Sequence, residues 1–102
     1  MIQQLLKVNI PEVTSILKMY KVKRAYAFGS VCTNHFNESS DVDLLIAFED
    51  GLDPIEYGEN YFKIMYALQK LLKREVDLIT ERSLKNPYFI KVMNLTKTPI
   101  YE

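Results

Sequence analysis

Two aspartates one residue apart, Asp41 and Asp43, lead straight into the apolar run Leu44-Leu45-Ile46-Ala47-Phe48, and Gly29-Ser30 stands ahead of them by a gap of ten residues. Side chains alternate faces along a strand, so positions 41 and 43 point the same way if extended geometry starts that early. Two carboxylates held that close repel each other unless a proton or a cation sits between them. A divalent metal is the natural cation, and Mg2+ is typically held by one or two carboxylates together with substrate phosphate oxygens. The Gly-Ser turn offers what a phosphate needs: close backbone approach, free N–H groups and a hydroxyl. Together these residues form a candidate site for a metal-bound nucleoside triphosphate.

A third acid, Asp77, lies between Val76 and Leu78 in an otherwise apolar segment. A lone ionised carboxylate on a buried strand face is expensive, so such residues are usually paired, metal-bound or turned to solvent. If the strand at 75–80 neighbours the strand at 43–48, Asp77 can converge on Asp41 and Asp43. Three convergent aspartates suit a two-metal phosphoryl-transfer site, with ions about 3.5–4 Å apart. Asp77 could also accept the proton of an attacking hydroxyl. Taken singly the signals are weak: Asp-x-Asp is common in turns, Asp77 could face solvent on an edge strand, and Gly-Ser alone means little. Their order, spacing and strand context give them weight.

Other residues compete poorly. His35 is the only histidine, which leaves no histidine cluster for zinc. Cys32 follows the Gly-Ser pair, but nothing marks a base for it. Neither a P-loop nor a dinucleotide-binding glycine pattern is present.

The elements that must position these groups follow from periodicity and punctuation. Asn9-Ile10-Pro11 opens a helix whose buried stripe is Val13, Ile16, Leu17 and Tyr20. A strand is expected over 23–28, a short helical turn within 31–36, a polar loop over 37–40 and a central strand over 43–48. Asp53 and Pro54 start a long helix that runs to about Lys73. Its inner face is assigned to Ile55, Phe62, Met65, Leu68 and Leu72, while Tyr57, Tyr61 and Tyr66 read as core or partner-facing aromatics. A third strand covers 75–80, Asn86-Pro87 opens a short helix carrying Phe89, Ile90 and Met93, and 98–101 form a terminal strand. Residues 2–8 are too short a stretch to assign. Strands alternating with helices argue for an α/β (α+β) fold, with helices packed on a small mixed sheet.

At 102 residues the chain is expected to be one domain, 1–102. Thirteen basic and thirteen acidic residues cancel, which disfavours a protein that grips nucleic acid through its phosphates. Lys18, Lys21, Lys23 and Arg24 could form a local basic patch, though solvated charges at a helix end is the plainer reading. The opening residues lack the basic and apolar regions of a signal peptide. No stretch approaches the roughly 20 apolar residues of a membrane span. With a single cysteine, a cytoplasmic protein is expected.

At Phe28-Gly29-Ser30 and Ser40-Asp41-Val42-Asp43-Leu44-Leu45 the chain resembles the nucleotidyltransferase superfamily that includes DNA polymerase β. In size and layout it is most similar to the minimal nucleotidyltransferases. That resemblance implies that Asp41 and Asp43 bind Mg2+, with two ions expected, and that Asp77 is the third catalytic and metal-binding carboxylate. Gly29 and Ser30 would hold the phosphates of ATP, with Ser40 counted among the nucleotide-binding residues. Relatives of this size are often paired with a HEPN-domain toxin, onto whose tyrosine they transfer AMP, acting as antitoxins. A homo-oligomer stays open. One departure stands out: the family commonly has Arg-x-Arg-Gly after Gly-Ser, and this chain has Val31, Cys32, Thr33 and Asn34. Losing both arginines thins the charge that would pair with phosphate. A catalytically weak binding module, neutralising its partner by contact, is therefore the alternative.

Overall fold

The computed structural model describes residues 2–102; Met1, the first residue of the expected domain range, lies outside the described residues. In chain order the elements are α1 (Gln4–Lys7), α2 (Ile10–Met19), β1 (Val22–Phe28), β2 (Val42–Phe48), α3 (Pro54–Leu72), β3 (Val76–Thr80), α4 (Pro87–Asn94) and β4 (Thr98–Tyr101). The strands form one mixed sheet in the order β3-β2-β1-β4. β1 runs antiparallel to β2 and β4, and β2 pairs in parallel with β3. The parallel pair is joined by α3, the crossover that parallel neighbours require.

Alternation along the strands divides the sheet into two unequal faces. Ala25, Ala27, Val42, Leu44, Ile46, Val76 and Leu78 turn to one side, where they meet Leu6, Val13, Leu17, Ile64, Leu68 and Leu72 from α1, α2 and α3. Phe28 and Leu45 turn to the other and are covered by Met93 of α4. Asp43 and Asp77 share the parity of Leu45 and Ile79, so they lie on this second, thinly covered face.

Local signals set most boundaries. Asp53 caps α3 by accepting the Ile55 N–H at 2.7 Å, with Pro54 in the first turn. Lys73 ends the helix in the left-handed conformation. Asn86 caps α4 in the same way, accepting from Tyr88 and Phe89. α1 is the element that periodicity left unassigned. The turn expected within 31–36 begins earlier, as a 3-10 turn over Gly29–Cys32.

The inner face of α3 needs correction. Ile55 is 72% exposed and Phe62 54% exposed, whereas Asn60, Ile64, Leu68 and Leu72 are the buried residues. At 100° per residue, Ile55 and Phe62 stand roughly 160–180° around the axis from Ile64. Tyr57 and Tyr61 join the buried stripe, while Tyr66 stacks on Phe62 outside. The buried Asn60 amide donates to the Tyr20 carbonyl at 3.1 Å, tying α3 to the end of α2. The Tyr61 hydroxyl donates to the Leu78 carbonyl at 2.6 Å, tying it to β3.

Candidate active site

β2 and β3 place Asp43 and Asp77 directly opposite each other, as register partners on adjacent parallel strands. The neighbourhood on which the sequence argument depended is therefore present. Of the alternatives left open for Asp77, the structure takes the solvent-facing one: it is exposed on the edge strand and carries no burial cost. Asp43 is the half-buried member. Its carboxyl is pushed up to about 6 by burial first, then by the negative charges of Asp77 and Asp41. Asp41 precedes β2 and is exposed, yet its charge reaches Asp43. The three acids form one electrostatic cluster, with Asp43 at its centre.

The glycine of the Gly-Ser turn faces the same carboxylate. Gly29 has a φ of +75°, in the left-handed region, and a Cβ there would overlap the Asp43 carboxylate oxygen. The backbone conformation demands glycine, and a Cβ would have to push the Asp43 carboxylate aside. Asp43 also has Phe28 as its register partner on β1, so the turn leaves the sheet beside the acids.

The turn is less free than the sequence suggested. The Gly29 N–H is taken, donating to the Thr96 hydroxyl at 2.8 Å. The Ser40 hydroxyl accepts the Asn37 N–H at 3.0 Å and closes the 37–40 loop. The Ser30 carbonyl accepts from both the Thr33 N–H and the Thr33 hydroxyl at 2.9 Å. Val31 is fully buried, and its carbonyl accepts the Gln3 N–H at 2.8 Å. Val31 is thus a core residue that braces the turn. Cys32 is buried too, and burial pushes its thiol up, away from nucleophile chemistry. His35 is an exposed loop residue.

Among the described residues no three His, Cys, Asp or Glu side chains close on a common point as a protein cage for a metal. Mg2+ does not need one, since one or two carboxylates and substrate phosphates suffice. The half-buried, mutually repelling Asp43 cluster is a donor set that fits such an ion. Burial first, and then repulsion, raises Asp43 in the free protein, and the repulsion is what a divalent cation would relieve.

A cavity of about 510 Å3 opens at the opposite end of the sheet, lined by Lys23, Arg24, Tyr57, Thr80 and Glu81 among others. Two of its cations are paired: Arg24 makes a two-bonded pair with Glu81, each bond 2.7 Å, and Lys23 pairs with Asp50 at 3.3 Å, while Arg82 lies over the Tyr57 ring. Lys21 pairs with Glu56 at 2.8 Å, and Lys18 lies over the Tyr101 ring. The four cations near the end of α2 are therefore dispersed into separate contacts and make no basic patch.

Sequence reasoning missed Thr96 and Arg74, which reach the site loops from elements distant in the chain. Nothing in their local sequence announces those contacts.

The nucleotidyltransferase domain family matches residues 10–97, and the chain belongs to that family. It is 39% identical over 72 residues to "Putative protein adenylyltransferase MJ1379" of Methanocaldococcus jannaschii, covering 71% of this chain and 70% of that protein. A solved "putative minimal nucleotidyltransferase" superposes with a TM-score of 0.73 at 30% identity, over 97% of this chain and 96% of that one. Two further likenesses concern the fold alone. A toxin–antitoxin structure with AMP-PNP gives a TM-score of 0.70 at 23% identity, over 91% of this chain and 73% of that one. A complex of a tri-AMPylated HEPN toxin with an MNT antitoxin from Shewanella oneidensis gives 0.64 at 22% identity, over 93% and 71%. The mixed sheet with flanking helices is the minimal nucleotidyltransferase fold. No described helix is long and apolar enough to cross a membrane.

Proposed function

We propose that residues 1–102 form one Mg2+-dependent nucleotidyltransferase domain that moves AMP from ATP to a hydroxyl on a partner protein. The partner of best fit is a HEPN-type toxin, modified on tyrosine, which makes this chain an antitoxin. One observation carries the reading: Asp43 and Asp77 stand in register on parallel strands, with Gly29 turned against Asp43. The names of the archaeal relatives support protein adenylylation. The AMPylated state of the toxin in the Shewanella complex supports the choice of partner.

In this reading the acceptor oxygen bonds to the α-phosphorus of ATP, the bond to the β-phosphate bridge breaks, and pyrophosphate leaves. Asp77, exposed at the sheet edge, takes the hydroxyl proton. Asp41 and Asp43 hold the cation, and Gly29 with Ser30 lets the phosphates approach the backbone. Mg2+ bound there supplies charge neutralisation on the phosphate oxygens and a lower pKa for the attacking hydroxyl.

The second reading, neutralisation by contact alone, draws on the burial of Val31 where the family commonly has arginine, and on the exposed stripe Ile55, Phe62 and Tyr66 of α3. Label transfer from α-labelled ATP to a co-purified partner separates the two. The enzyme reading expects transfer by the wild type and none by the double variant Asp41→Asn with Asp43→Asn. Neutralisation that survives intact in that variant, with no labelling by either form, supports contact alone.

A further inference from the structure

Asp41 precedes the first residue of β2, so the ladder that holds Asp43 does not hold it. Regular pairing begins at Val42, whose N–H donates to the Glu75 carbonyl at 3.1 Å. The peptide between Ser40 and Asp41 is held from the side, by Arg74. A single Arg74 nitrogen, Nη1, donates to the Ser40 carbonyl at 2.8 Å and to the Asn37 carbonyl at 3.0 Å. The same guanidinium lies over the Phe36 ring, 4.5 Å from its centroid, a contact suited to a planar delocalised cation. Arg74 thus grips three residues of the loop that joins the Gly-Ser turn to the aspartates.

Its own backbone lies in the short connection between Lys73 and β3. The grip is therefore referenced to the strand that carries Asp77. The Arg74 Nε is buried without a hydrogen-bond partner, an arrangement that is unfavourable in itself. The side chain holds this pose through its contacts with the loop and not through complete satisfaction of its own donors.

We propose that Arg74 is a positioning residue of the nucleotidyl-transfer site. By fixing the Ser40–Asp41 peptide against β3, it sets the reach of the Asp41 carboxylate toward a cation shared with Asp43. The inference rests on the proposed reading of these carboxylates as a divalent-cation site. Losing the grip leaves the Asp43–Asp77 register intact and releases Asp41, so the penalty falls on cation affinity.

Mn2+ binding to the full chain, followed by the electron paramagnetic resonance of free Mn2+ and accompanied by melting curves, tests it. Arg74→Met keeps an unbranched stem against Phe36 and removes the donors. The Mn2+ dissociation constant then rises roughly 10- to 100-fold, as for other residues that orient a metal ligand. Arg74→Lys recovers part of the loss, because an ammonium reaches the carbonyls without stacking on the ring. Arg74→Gln, with a polar head in the half-buried position, gives the same readout should the methionine variant not fold. Wild-type Mn2+ affinity in a folded Met or Gln variant, with binding lost in Asp43→Asn, overturns the inference and leaves the site standing. Mn2+ binding that survives Asp43→Asn overturns both.

Discussion

Asp43 and Asp77 occupy matching positions on two adjacent parallel strands, one half-buried and the other open to solvent. Their α-carbons are fixed by the ladder, so their mutual repulsion is built into the sheet and cannot be relaxed by moving a loop. The relief available to the free protein is a proton on Asp43, whose carboxyl is pushed up to about 6.

Burial of Asp43, with that repulsion added to it, has a pH signature. A carboxyl raised by folding contributes stability that is complete below its ordinary value of 3.8 and is lost as pH rises through about 6. Metal-free Asp43→Asn should therefore melt higher than the wild type above that range, with the difference vanishing toward the ordinary value. Mg2+ should raise the wild-type melting temperature at neutral pH by preferential binding to the folded state, and leave the asparagine variant unmoved. Melting curves across pH, with and without Mg2+, check both statements.

Gly29→Ala should be the most damaging small substitution in the turn. The left-handed backbone alone costs about 1–2 kcal/mol with a Cβ present, and the added methyl meets the Asp43 carboxylate. Displacing a reacting group by about 1 Å can cost roughly 100-fold in rate, so nucleotidyl transfer should fall by that order. A variant that transfers at the wild-type rate would contradict the placement of Gly29 against Asp43.

Thr96 links the C-terminal segment to the turn by one bond, the Gly29 N–H to its hydroxyl. Thr96→Val keeps the shape and removes the acceptor, which should cost about 1 kcal/mol or slightly more. Thr96→Ser should behave as wild type. Denaturant unfolding of the two variants measures the difference.

Asn60 is a buried polar residue on the inner stripe of α3, and its amide donates to the Tyr20 carbonyl at 3.1 Å. Asn60→Leu leaves that carbonyl unpaired and should destabilise the fold by about 1–3 kcal/mol. Transfer activity of the folded fraction should stay unchanged, because Asn60 bonds to the end of α2 and not to the acids or the Gly-Ser turn.

The sequence carried the strand–helix order well, because Asp53-Pro54 and Asn86-Pro87 are strong local starts and the β2 run is apolar throughout. On α3 it placed Met65, Leu68 and Leu72 on the inner face, where the structure has them, but added Ile55 and Phe62, because aromatic and aliphatic residues occur all around that helix and composition alone does not choose between two stripes. For the site, it named the acids and the Gly-Ser turn but not their supports. The Thr96 and Arg74 contacts cross 67 and 34 residues of chain respectively, and neither residue belongs to a motif. It left Asp77 open between a costly buried face and a solvent-facing edge strand, and the structure puts it at the exposed edge. Val31 looked like a lost arginine; in the structure it is a buried brace beneath the turn.

In the proposed function the Asp43 end of the sheet, and not the cavity at its opposite end, takes the nucleotide and the cation. Anomalous diffraction from a crystal holding Mn2+ and a non-hydrolysable ATP analogue tests it most directly. A Mn2+ peak in contact with Asp43, with the triphosphate lying along Gly29-Ser30, is the expected result. Triphosphate density beside Arg24 and Glu81, with no Mn2+ at Asp43, would contradict it.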